Sequence, residues 1–412
     1  MTFKRILISL VLLALLAGCN SPTPTPTSLP PTTAPTTPPS TATAVATALP
    51  TATLAPSSTP APTATTVVLP TATPNNIIGP DSYPAGVNPL TGLIVPDPAA
   101  LNLPPALISV SNFPVTTRPQ AGLSKAAMVF DAYYGDGLTR YMALFYGDLS
   151  NVGSKPLSVG PMRSGRLPWE LLRKMYNGFL LITNSDPTVA AELTNYTFVY
   201  SGINDVNSVF ADANKIQTSA NQYLPKLGAP ALKGMEFSAN PPDGGKPATS
   251  LWVPFAYLNQ VLWRYDATNG VYNRYADNYD GVTFVRLTDR LNNQPIQADN
   301  VIVIYANHTL IKAEKIDIAL ENQDRMPALL FRDGKMYEIY WTSKYVNGKA
   351  APMRFVDAQG NSVPLKPGPT WVEVVTNGSP YYETVDISGN TGARVDQKTP
   401  GSGAWRVKFI MP

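Results

Sequence analysis

The chain has 412 residues and a formal net charge of +3, from 31 Lys and Arg against 28 Asp and Glu. That near-balance removes any bulk electrostatic basis for nucleic-acid binding. A single cysteine and a single histidine exclude an intramolecular disulfide, a cysteine-based metal site, a thiol protease and a His-rich zinc centre, and no metal or cofactor is expected.

Residues 1–19 read as an export signal: Lys4 and Arg5, an apolar run from Ile6 to Ala17, then Leu16-Ala17-Gly18-Cys19. The run is too short for a permanent membrane-spanning helix. A small residue before cysteine at this spacing resembles the bacterial lipoprotein box, which implies that Cys19 becomes the lipidated first residue of the mature chain. The expected location is the cell membrane, lipid-anchored on its extracytoplasmic face. Loss of Lys4 and Arg5 with the signal lowers the charge of +3 by two, to +1.

Residues 20–74 are almost wholly Thr, Pro, Ser and Ala, a composition that cannot bury enough apolar surface to offset the entropy of ordering. A disordered stalk is expected. In extended polyproline conformation, at ~3.1 Å per residue, it reaches well over ~100 Å.

The remainder reads as α+β: an α/β layered domain over 75–245, then a mainly antiparallel β domain over 246–412. In the first part, Ala106–Val110, Ala127–Phe130, Tyr141–Tyr146 and Phe179–Thr183 are short apolar runs suited to buried strands. Pro168–Tyr176 starts with proline and stops at Asn177-Gly178, as a helix does. Asp186–Leu193 opens with the same cap-then-proline pattern, and 205–227 reads as one or two short helices. In the second part, Val282–Leu287, Val301–Tyr305, Met336–Trp341, Met353–Val356 and Trp371–Val375 read as strands, separated by turn signals such as Asp333-Gly334 and Asn347-Gly348.

The chemically suggestive stretch is Gly160-Pro161-Met162-Arg163-Ser164-Gly165-Arg166, two guanidinium groups on a Gly/Pro-punctuated turn ahead of a helix. Planar donor forks suit carboxylate or phosphate. Arg118 and Arg140 also fall at strand ends or turns of the first part, where an α/β sheet gathers its loops into a crevice. Arg118, Arg140, Arg163, Ser164, Arg166 and Asp131 are therefore the candidate ligand-binding residues, with Tyr133, Tyr134 and Trp169 as possible flat faces. The alternative reading has both loop arginines structural, paired with Asp131, Asp136 or Asp148.

The order of several motifs resembles the YerB-like bacterial lipoproteins, a two-part family without an established biochemical function. The resemblance covers roughly residues 86–376. Its first part rests on Asn88–Leu93, Asn112, Arg118–Ala126, Gly137-Leu138-Thr139-Arg140 and Gly160–Arg166; its second on Asn300–Val303, Asp333-Gly334-Lys335 and Pro367–Val372. The family pattern implies an acidic residue before the Gly-Gly of the Thr-Arg motif and a histidine near 220. Here Gly135 is followed by Asp136, and Asn221 carries no imidazole. A shared binding role survives those losses more easily than acid–base chemistry.

No Ser-x-x-Lys, Gly-x-Ser-x-Gly or phosphate-loop motif occurs, and His308 reads as a strand-end residue. The expected function is binding of a cell-envelope ligand, an anionic glycan, a peptide or an envelope protein, through an arginine-bearing cleft. Two alternatives remain: a wall glycan hydrolase using a pair among Asp131, Asp136, Asp148 and Glu170, and a structural scaffold for other envelope proteins.

Overall fold

The computed structural model describes residues 77–147, 149, 151–152, 155–313, 315–387 and 396–412. The expected signal with Cys19, the 20–74 stalk and Asp148 lie outside these residues. No described helix is long and apolar enough to cross a membrane.

The first half supplies strands β1 (Ala106–Ser111), β2 (Met128–Gly135), β3 (Leu138–Phe145), β4 (Phe179–Ile182) and β5 (Tyr196–Phe198), with helices α1 (Leu167–Met175) and α2 (Ala213–Leu227). From the second half come β6 (Ser250–Ala256), β7 (Asn259–Asp266), β8 (Val271–Asp277), β9 (Asn300–Ala306), β10 (Met326–Arg332), β11 (Lys335–Thr342), β12 (Thr370–Thr376) and β13 (Ala404–Val407).

One 11-stranded sheet runs in the order Lys246–Pro247, β11, β10, β9, β12, β2, β3, β1, β4, β5, with Arg354–Val356 added on β11. Strands from both sides of residue 245 thus share one sheet. Its centre is β12, parallel to β9 on one side and to β2 on the other. Every residue of β12 is buried, which is why its sequence is a near-continuous apolar run. A 7-stranded sheet runs Phe284–Arg286, β8, β7, β6, β13, Tyr381–Glu383, with Gln297–Ala298 on β8.

Strands predominate and helices are few. The βαβ alternation expected over 75–245 gives way at its centre to a hairpin. Asp136 (φ 52°) and Gly137 (φ 76°) connect β2 to β3 in two residues, so the pair is antiparallel and needs no crossover helix. Among the described strands within 75–245, only β1, β4 and β5 pair in parallel with one another. The expected 186–193 helix is a single turn, Pro187–Ala190, and α2 begins only at Ala213, where Asp212 caps Lys215 N at 2.7 Å. The second half is likewise mixed, because β12 and β13 each pair in parallel.

Candidate functional site

The Gly160–Arg166 loop is built into the sheet. Along β1, β4 pairs only with the stretch Ala106–Ile108. Beyond that point the loop takes its place: Ser111 N donates to Pro161 O at 2.8 Å and Arg163 N to Ser109 O at 2.8 Å. Met162 N to Val209 O (2.8 Å) and Gly165 N to Asn184 O (2.7 Å) fasten the other edge. Gly160 is required by space, since backbone closes over it, and Gly165 is closely enclosed by side chains. A Cβ on Gly160 would lie 2.8 Å from Val209 O, and one on Gly165 2.6 Å from Leu193 Cδ1. Arg163 and Arg166 therefore project from a fixed backbone.

Three of the four sequence-derived arginines come together. The guanidinium of Arg140 lies 4.3 Å from the Tyr134 ring centroid and that of Arg166 4.7 Å from the same ring. Cation–π attraction offsets part of the repulsion between them. Arg140 Nη1 donates to Ser164 O at 3.3 Å, and Ser109 Oγ to the same oxygen at 3.0 Å. Arg163 Nη1 donates to Met162 O (3.2 Å) and Val206 O, and its Nη2 to Phe113 O (3.5 Å). Neither Arg140 nor Arg163 forms a salt bridge with a described residue. Burial first, then the neighbouring Arg166, pushes Arg140 down to about 9; burial lowers Arg163 as well. Arg166 also lines a cleft of about 310 Å³ with Asp136, Asp186, Lys312 and Lys315.

Arg118 is held apart from the cluster by its own network. Its Nη1 donates to Asp277 O at 2.6 Å and its Nη2 to Asn112 Oδ1 at 3.0 Å, with the guanidinium 5.2 Å from the Phe113 ring centroid. Asn112 Oδ1 also accepts from Tyr141 OH at 2.7 Å. Arg118 lines a separate cleft of about 350 Å³ together with Asp277 and Arg286.

Asp131 lies in the core, fully buried, and no ligand reaches it from the surface. Register explains its place: Tyr141, Asp131 and Glu373 stand side by side on β3, β2 and β12. Two carboxylates directly opposite would repel. Arg274, from the other sheet, sits between them, with Nη2 2.7 Å from Asp131 Oδ2 and Nη1 2.8 Å from Glu373 Oε1. Trp263, opposite Arg274 in the β7–β8 register, donates Nε1 to Glu373 Oε1 at 2.9 Å. The guanidinium lies 4.3 Å from the Trp371 ring centroid. Desolvation raises both carboxylates, Glu373 to about 8. Sequence reading missed Arg274 and Glu373; the only local signal was Glu373, a charged residue inside the apolar run of β12.

The other candidates are structural. Glu170 accepts from Arg173 Nε (2.9 Å) and Nη2 (2.7 Å) and from Thr194 N (2.9 Å), so its oxygens are taken. Asp136 sits in the β2–β3 turn. Trp169 is 1% exposed, and Tyr133 packs against Phe409 at 5.0 Å. His308 opens a strand, its Nδ1 3.0 Å from Ala306 O, and burial pushes it down to about 4. Among the described residues no cluster of three metal-ligating side chains occurs.

Two family models match this arrangement in the order seen in the sequence. The N-terminal domain of "Protein of unknown function (DUF3048)" matches residues 90–231, and its C-terminal domain matches residues 251–372. The chain belongs to this YerB-like family. It is 28% identical over 321 residues to "Putative lipoprotein YerB" of Bacillus subtilis (strain 168), covering 74% of this chain and 89% of that protein. Its fold is similar to the crystal structure of the YerB protein from Bacillus subtilis, with a TM-score of 0.55 and 24% identity over 70% of this chain and 96% of that one. Within the YerB-like pattern, the Thr139-Arg140 motif and the Gly160–Arg166 loop, far apart in sequence, meet at the backbone oxygen of Ser164.

Proposed function

We propose that this YerB-like protein is a lipid-anchored envelope protein that binds an anionic envelope ligand at the arginine cluster around Tyr134. Cys19 carries the anchor, and residues 20–74 hold the folded part away from the membrane. The observation that carries the binding reading is the gathering of Arg140, Arg163 and Arg166 at one place, two of them across a single tyrosine ring. Arg140 and Arg163, like charges held on carbonyl partners with no carboxylate paired to them among the described residues, favour an incoming anion. The fixed loop backbone keeps the donors in position before the ligand arrives, which lowers the entropic cost of binding.

The test is retention of the full-length protein on isolated envelope material. Arg163→Ala with Arg166→Ala is expected to weaken retention roughly tenfold or more, the worth of at least one charge-assisted contact. Unchanged retention removes the site. Membrane fractionation of Cys19→Ala checks the anchor independently: the variant leaves the membrane fraction if Cys19 is lipidated and stays if it is not.

A further inference from the structure

Away from the arginine cluster, two clefts of about 810 Å³ and 440 Å³ adjoin, sharing Lys233, Val346, Ala351 and Pro352 in their walls. We propose that together they form a groove that binds a linear polyphosphodiester.

Charge is the first argument. The groove carries six cations: Lys174, Lys233, Lys349, Lys344, Arg325 and Arg354. It carries three carboxylates, Asp81, Glu321 and Asp324. Arg173 also lines it but is neutralised by Glu170 at 2.7 Å. Six minus three leaves a surplus of three. This surplus stands in one concave place of a protein whose formal charge without Lys4 and Arg5 is only +1, and low-dielectric walls concentrate the field there.

The distribution of partners is the second. Asp324 is taken by Lys344 at 2.7 Å and approached by Arg325 at 3.8 Å, and Asp81 lies 3.9 Å from Arg354. Lys174, Lys233 and Lys349 are exposed and form no salt bridge with a described residue. Lysine ammonium groups are compact point charges with rotatable donors, suited to phosphates at variable spacing, whereas planar bidentate recognition uses arginine. The combined groove is longer than one small anion needs. Its walls also include apolar Leu232, Ala350 and Pro352, which suit short carbon segments between charges, while the only exposed aromatic face is Tyr345. That balance favours a charged polymer over a neutral sugar.

The experiment titrates the full-length protein with synthetic poly(glycerol phosphate) at a series of salt concentrations. The variant Lys174→Gln, Lys233→Gln, Lys349→Gln is expected to bind roughly tenfold or more weakly at low salt. Its log affinity against log salt should be shallower by about 2, since each phosphate contact on a flexible polyanion contributes ~0.7 to that slope. The corresponding triple Lys→Arg variant keeps the slope, which separates lost charge from lost folding. An unchanged slope in the Gln variant, absence of binding by the unmodified protein, or equal binding of poly-glutamate overturns the proposal. If Arg163→Ala with Arg166→Ala abolishes polymer binding while the triple Lys→Gln variant keeps it, the polymer belongs to the loop cluster and the groove assignment falls.

Discussion

Two places in this molecule set an arginine against aromatic rings, and they differ in what completes the arrangement. Arg274 is fully buried between two carboxylates and two tryptophans and bridges the two large sheets. Arg140 shares Tyr134 with Arg166 and donates to a backbone carbonyl. The first arrangement is closed: its charges answer one another inside the protein. In the second, Arg140 and Arg166 crowd one ring, and in the binding reading proposed above an incoming anion completes the electrostatics. Partner identity, more than residue type, separates architecture from recognition.

The largest effect expected from disturbing this contrast is on the closed cluster. Arg274→Ala leaves Asp131 and Glu373 buried without a cation and should cost about 3–5 kcal/mol of stability, read by urea denaturation. A loss below about 1 kcal/mol would mean that the pair is not buried as described.

The next effect is on pH dependence. Glu373 keeps its proton in the folded state up to about 8, against 4.5 in the unfolded chain. Between those values the unfolded state binds fewer protons, so stability falls as pH rises, on the order of a few kcal/mol in all. Asp131, also raised, acts in the same sense. His308 acts oppositely between about 4 and 6.5, where the unfolded state binds more protons. The Glu373 contribution is therefore cleanest from pH 6.5 to 8, and Glu373→Gln should flatten the stability profile there. The smallest effect is expected at the open cluster: Arg163→Ala with Arg166→Ala should change unfolding free energy by no more than about 1 kcal/mol. A cost comparable to that of Arg274→Ala would make those arginines structural as well.

Much of the large sheet was legible in the sequence, because β1, β2, β3, β9, β11 and β12 are apolar runs that a buried strand requires. The β6 to β8 meander was not. Pro254 interrupts β6, and Gln260, Arg264, Asn273 and Arg274 break the pattern in β7 and β8, although their register opposes a buried face. The Asp136-Gly137 pair carries a hairpin-turn signal, with both residues at positive φ, and it overlaps the Gly137–Arg140 motif. The loop at Gly160 was visible from its punctuation, while its meeting with Arg140 depends on β3 register and a loop that replaces β4. The pairing of Asp131 with Arg274 spans 143 residues, and no local pattern carries it.

The position of β12 has a consequence for how this chain is made. A strand near the far end of the polypeptide is wedged between β2, from the first matched segment, and β9, from the second. Ala132 waits for Val374 before the middle of the sheet closes. Such a long closure slows assembly relative to local pairing. Until it occurs, β2 presents an open edge able to recruit the strand of another molecule. Severing the chain between its two family segments would leave that edge permanently unpaired, so the two parts are successive in the sequence but inseparable in the folded protein.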